Sequence, residues 1–194
     1  MVYRMNTETK MNIAKGFYLI AQIEKLLSHE QWVVVREFPN FAVSNQGRVI
    51  NLTTGNAPKL WKDPKGYALV RLKNDSRELL VALHHLVAFT FIENDCDLPC
   101  VDHINNDPND NRVVNLRWCT QQQNCWNRTK HVNTTSKYKG VTWNKLCNKW
   151  IAQIGYNGKV IYIGLFKDEK DAGRAYNVKA KEMFGEFAKL NIID

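Results

Sequence analysis

At 194 residues with 44% hydrophobic content, the chain is long enough for one large or two small folded domains. Its net charge of +8 suits a polyanion or an anionic membrane surface. No apolar run approaches the roughly 18–20 residues that span a bilayer, and the opening MVYRMNTETKMNIAK lacks a secretory core. An intracellular protein without a membrane segment is expected, with nucleic acid as its polyanion.

The charge is uneven. Residues 30–133 carry 12 Lys and Arg against 11 Asp and Glu, whereas residues 134–194 carry 11 against 6. The middle of the chain manages its own acids, and the C-terminal part resembles a polyanion-binding surface. The five cysteines (Cys96, Cys100, Cys119, Cys125, Cys147) are odd in number and form no C-x-x-C pair, so they imply neither a disulfide framework nor a zinc knuckle.

In chain order, residues 1–10 are polar. Over residues 11–27, Ile13, Phe17, Ile20, Ile23 or Leu26, and Leu27 recur at helical spacing. From residue 31 the pattern changes to short strands. Trp32-Val33-Val34-Val35 reads as a strand, broken by Phe38-Pro39-Asn40-Phe41. Asn45-Gln46-Gly47 is a turn between Ala42-Val43-Ser44 and Arg48-Val49-Ile50. A second hairpin is expected from residues 57–60 and 67–72 around Pro64-Lys65-Gly66, with a further strand at 79–81. Arg48, Lys59, Lys62, Lys65, Arg71 and Lys73 are spread along these strands. They fit either a solvated β-scaffold or a surface that tracks a DNA backbone.

Residues 83–91 read as a short helix carrying His84 and His85, which such a helix more often packs than offers as ligands. Val101-Asp102-His103 then ends a short strand. The run Asn105-Asn106-Asp107-Pro108-Asn109-Asp110-Asn111 is a loop. A second strand is expected over 116–119, and Thr120-Gln121-Gln122-Gln123 fits a capping box opening a helix, with Asn124 in its first turns. A carboxylate beside an imidazole, with an amide further on, suits a single-cation phosphodiesterase. Asp offers Mg²⁺ the hard oxygen it prefers, and a histidine titrating near neutrality can take a proton from water.

Residues 129–136 read as a linker. The chain then restarts with strands over 139–143, 149–156 and 159–166, the last two joined by the strong hairpin signal Asn157-Gly158. Asp168, Glu169 and Asp171 open a helix that Gly185 is placed to end. A three-stranded sheet must bury one face on that helix. Its other face is expected to present Lys139, Trp143, Lys145, Lys149, Gln153 or their alternates, a basic aromatic surface able to enter a DNA major groove.

His84-x-Leu86-Val87-Ala88, Val101-Asp102-His103, Asn115-Leu116-Arg117-Trp118 and Asn124 resemble, in order and spacing, the HNH homing endonucleases of phages and other viruses. Trp32…Phe38-Pro39-Asn40-Phe41-x-Val43-Ser44-Asn45-x-Gly47-Arg48-Val49 resembles the β-module that often precedes that nuclease. Tyr138-Lys139-Gly140-Val141, Lys149-Trp150-Ile151-Ala152, Ile163-Gly164-x-Phe166, Ala175-Tyr176 and Lys189-Leu190-Asn191 are similar to the APETALA-type domain of plant ethylene-response factors.

The resemblance implies an α+β protein: a helical extension (1–29), an antiparallel β-module (30–82), a ββα-metal nuclease core (83–128), a linker (129–136), and a three-stranded sheet packed on one helix (137–191). It implies a homing-type DNA endonuclease using Mg²⁺ or Mn²⁺ on double-stranded DNA. Asp102 and Asn124 would ligate the cation, His103 would be general base, Asn115 would hold the loop that orients it, and His84 would be structural. DNA contacts would come from Lys137, Lys139, Trp143, Lys145, Lys149, Gln153, Tyr162 and Arg117. The chain departs from the plant pattern at Thr142, Gly155 and Val160, where base-reading arginines usually stand, and at Tyr162, usually Trp. Weaker or different specificity, led by phosphate contacts, is therefore expected. The alternative is a DNA-binding regulator with an inactive core.

Overall fold

The computed structural model describes residues 30–130 and 134–194, together with Tyr18 and Ala21. Apart from those two helical positions, the helix expected over 11–27 lies outside the described residues. The chain divides into two compact units, Met1–Trp118 and Cys119–Asp194.

In the first unit, β1 (Trp32–Val34), β2 (Phe41–Ser44) and β3 (Val49–Asn51) form an antiparallel meander with β2 central. The β2–β3 turn is held by Ser44 Oγ, which accepts from the backbone N–H of Gln46 and Arg48. β4 (Leu60–Lys62), β5 (Ala68–Lys73) and β6 (Glu78–Ala82) form a second meander. Its first strand begins three residues later than the apolar pattern suggests and ends two residues later, and its second is shifted by one. Asp63 Oδ1 accepts from both Lys65 N and Tyr67 N at 2.9 Å, and this side-chain turn carries the pairing on to Lys62.

β6 runs directly into α1 (Leu83–Phe91), followed by β7 (Cys100–His103), a 3₁₀ turn (Val113–Asn115) and β8 (Leu116–Cys119), which pairs with β7. One apolar cluster joins these pieces. Phe41 and Val43 of β2, Val70 and Leu72 of β5, Leu83, Leu86 and Val87 of α1, Val101 of β7 and Leu116 of β8 are all buried in it. Each such side chain contributes about 1.5–3 kcal/mol by leaving water. None of the sheets is large enough to stand alone, so α1 and this shared core fix where β7 ends.

In the second unit, α2 (Gln121–Asn127) opens with the expected capping box. Thr120 Oγ1 accepts from Gln123 N, and Gln123 Oε1 accepts from Thr120 N. β9 (Val141–Asn144), β10 (Lys149–Tyr156) and β11 (Lys159–Phe166) form an antiparallel sheet with β10 central. β9 starts two residues later than expected, because Gly140 has a φ of 74° and interrupts extended backbone. Asn157 and Gly158 have φ values of 50° and 71°, as a type I′ turn requires.

Asp168 caps α3 (Glu169–Phe184) by accepting from Lys170 N and Asp171 N, and Gly185 follows its last turn. Ala172, Tyr176, Ala180 and Phe184 of α3 lie in buried clusters with Val141, Ala152 and Ile154 of the sheet. Trp126 of α2 stacks on Phe184 at 4.4 Å, which builds α2 into this unit. The whole is the mixed α and β arrangement of small antiparallel sheets and few helices that the sequence leads one to expect. Among the described residues no helix is long and apolar enough to cross a membrane.

Candidate functional site

β7 alternates Val101 into the core with Asp102 on the other side, and it delivers His103 at its end. Asp102 and His103 are each 5% exposed. A buried carboxylate needs compensation. Arg117 on the paired strand β8 supplies it, donating from Nε at 3.0 Å and Nη2 at 2.8 Å to Asp102 Oδ2. Arg117 was expected as a DNA contact; its guanidinium is instead turned onto Asp102.

His103 Nε2 lies 3.2 Å from Asn111 Oδ1. An amide oxygen accepts only, so Nε2 carries the proton and Nδ1 is the basic nitrogen of the neutral ring. The amide is oriented in turn, because Asn111 Nδ2 donates to Asn109 O at 3.1 Å. Burial holds the imidazole below its ordinary pKa, against the opposing pull of Asn111 and of the Asp102, Asp110 and Asp107 carboxylates. The ring is therefore uncharged at neutral pH and able to accept a proton.

The loop between β7 and β8 is closed by Asn115. Its Nδ2 donates to Asn105 Oδ1 at 3.0 Å and to Asp110 O at 2.8 Å, and its Oδ1 accepts from Asn105 N at 3.0 Å. Asp110 also accepts two bonds from Arg112, the main reason its carboxyl is pulled down to about 2.

Three supports escape a reading of the sequence. A Cβ at Gly47, where φ is 75°, would sit 2.7 Å from Asn111 O. Only glycine lets the β2–β3 turn press on the loop that holds Asn111. Tyr67 lies 5.8 Å from His103 and 4.8 Å from His84, ring to ring. His84 is buried, 4.9 Å from His103, with no hydrogen-bond partner at Nδ1. Burial, with His85 and His103 nearby, drives His84 down to about 3. Asn111 was hidden among the other Asn residues of its loop; the turn signal at Gly47 was visible but its partner was not.

Asp102 provides a hard oxygen, and among the described residues no group of three or more His, Cys, Asp and Glu is placed to cage a metal. This donor chemistry fits Mg²⁺ or Mn²⁺, which are held through few carboxylates while waters fill the remaining positions. Asn124, the expected second ligand, stands on α2 one turn after Thr120, with its N–H bonded to Thr120 O at 3.0 Å.

The expected DNA contacts of the second unit are not on one surface. In the sheet register Trp143 pairs with Trp150 and Ile151 with Thr142. Alternation therefore puts Trp143 on the helix side, against Trp150 at 4.9 Å, while Lys149, Gln153 and Tyr162 share the outward face. Lys139 is turned inward. Its Nζ donates to Trp126 O at 2.6 Å and Arg128 O at 2.8 Å, and burial brings it down to about 8. Lys137 lies over the Tyr138 ring at 5.1 Å, and Lys145 is exposed between β9 and β10.

The family model described as HNH endonuclease matches residues 99–125, and the NUMOD4 motif matches residues 30–73. An uncharacterized HNH endonuclease of Acanthamoeba polyphaga mimivirus is 36% identical over 98 residues, covering 50% of this chain and 29% of that protein. The DNA endonuclease I-HmuI of Bacillus phage SP01 is 29% identical over 99 residues, covering 50% of this chain and 57% of that one. A solved structure of I-HmuI, described as an HNH homing endonuclease with DNA binding and cleavage, aligns with a TM-score of 0.46, covering 49% of this chain and 55% of that one. APETALA2-like protein 2 of Oryza sativa subsp. indica is 42% identical over 59 residues, 29% of this chain and 13% of that protein. The chain thus spans less than two thirds of these relatives. The Asp102–His103 corner lies inside the first matched segment and the Gly47 turn inside the second: over about half its length the chain is similar to viral and phage HNH endonucleases, and the HNH endonuclease match falls on the segment that holds this corner.

Proposed function

We propose that the chain is a homing-type DNA endonuclease that hydrolyses phosphodiester bonds with one divalent cation, with His103 as general base. The observation that carries the reading is the buried His103, whose Nε2 lies 3.2 Å from Asn111 Oδ1 and which adjoins the carboxylate of Asp102. His103 Nδ1 takes the proton of the attacking water. Asn115, by closing the loop, keeps His103 and Asn111 in register. Asp102 and the amide oxygen of Asn124 hold the cation; Asn124 is assigned by its place in the motif. When bound, the cation stabilises negative charge on the phosphate and leaving oxygen. The sheet of the second unit, with the exposed Lys137 and Lys145 and the half-buried Lys149, holds double-stranded DNA.

The test is supercoiled plasmid, or viral genomic DNA, incubated with Mg²⁺, Mn²⁺ or chelator. Metal-dependent conversion to open circles or linear DNA supports the reading, and the product form separates nicking from double-strand cleavage. The grip of Arg117 on Asp102 favours one second reading, a DNA-binding regulator with a silent core. Binding without cutting of either DNA under both cations would select it.

A further inference from the structure

The outward face of the β9–β10–β11 sheet has an unusual composition for a surface that meets DNA. Residues 141–166 contain no Asp, Glu or Arg and three Lys. The cations of this face stand at one end, Lys145 and Lys149 beside the β9–β10 turn, whereas Lys159 pairs with Tyr156 on the helix side. Between them the register puts Thr142, Ile151 and Leu165 in one row, Gln153 beside Tyr162, and Gly155 beside Val160. The apolar members are open to solvent, with Val160 67%, Tyr162 60% and Leu165 43% exposed.

Gly155 has no evident structural reason to be glycine. Its φ is not left-handed, and a Cβ there would meet nothing within 4 Å. A glycine inside a central strand with neither turn nor packing to satisfy marks a place where a ligand comes close. A partner that suits this face is anionic where Lys145 and Lys149 stand and apolar with amide-like edges at its middle. Duplex DNA has that pattern: phosphates flank the major groove, and A·T pairs present a thymine methyl beside an adenine N6/N7 edge that Gln matches with two hydrogen bonds. A guanine edge calls for Arg or Lys, and the middle of this face has neither.

We infer that this face reads A·T-rich base pairs in the major groove, with Gln153 on an adenine edge and Thr142, Ile151 and Val160 against thymine methyls, while Lys145 and Lys149 meet the flanking phosphates. The inference rests on the DNA-binding reading above and names the substrate class for its second unit. The test is selection of the full chain on randomised duplexes in chelator, followed by affinity measurements on the selected duplex. An A·T-rich motif is expected. Replacing its thymines by uracil, which removes only the methyl, should weaken binding several-fold. Gln153→Ala should lower affinity for the selected duplex about ten-fold, within the range for one bidentate contact. Gly155→Arg, which the open space admits, should move part of the motif to G·C. A G·C-rich motif, or an unchanged motif in both variants, would overturn the inference while leaving DNA binding intact. Failure to bind any duplex would overturn the DNA-binding reading and this one with it.

Discussion

In the proposed reaction His103 is the general base, and its neighbours decide its state. Burial lowers its pKa, so cleavage should hold near neutrality and decline only below the ordinary histidine range, which a pH–rate profile will show. His103→Ala should abolish cleavage while the gel shift of DNA persists; a variant that cuts at the wild-type rate would refute the general-base role. His84 gives a stability prediction of definite sign. It is neutral in the fold down to about 3, whereas the unfolded chain takes up a proton below about 6.5. Stability is therefore fully present above 6.5 and is lost as pH falls toward 3, by about 1.4 kcal/mol for each pH unit. His85 and His103 add to the loss in the same direction. Denaturant titrations of His84→Phe should show a shallower acid decline than the wild type.

At the scale of elements, the β2–β3 turn supports the nuclease loop from outside. Gly47→Ala brings a Cβ against Asn111 O and places alanine at a left-handed φ. It should cost about 1–3 kcal/mol of stability, and through Asn111 it should slow cleavage beyond what the loss of folded protein explains, read as activity per folded molecule. Lys139 offers a contrast with the exposed lysines. Because its Nζ ties the chain after α2 to the start of the sheet, Lys139→Ala should lower the melting temperature of the protein. Lys145→Ala should leave it unchanged.

For the whole molecule, the charge distribution predicts how DNA binding responds to salt. The logarithm of affinity should fall linearly with the logarithm of salt concentration, at a slope of about 0.9 for each phosphate contacted. Lys145→Ala should make that slope shallower by about one, measured as anisotropy over a salt series.

Sequence determined a good deal of this by itself. Capping at Thr120, the Asn157-Gly158 turn and the helix opened by the acids at Asp168, Glu169 and Asp171 are local rules, each satisfied by residues within a few positions of one another, and each stands in the structure. Asp102 and His103 were legible because a strand delivers adjacent residues to one place. What the tertiary structure decided is who stands next to whom across long stretches of chain. It sent Arg117 to Asp102, Asn111 to His103, Gly47 to Asn111 and Lys139 to the carbonyls after α2. It also put Trp143 on the helix side, because the cross-strand register pairs it with Trp150, which alternates with the outward Lys149 and Gln153 along β10. A carboxylate or an ammonium taken out of water must find a partner, and the partner is whatever the packed core brings within reach, a matter on which sequence spacing is silent.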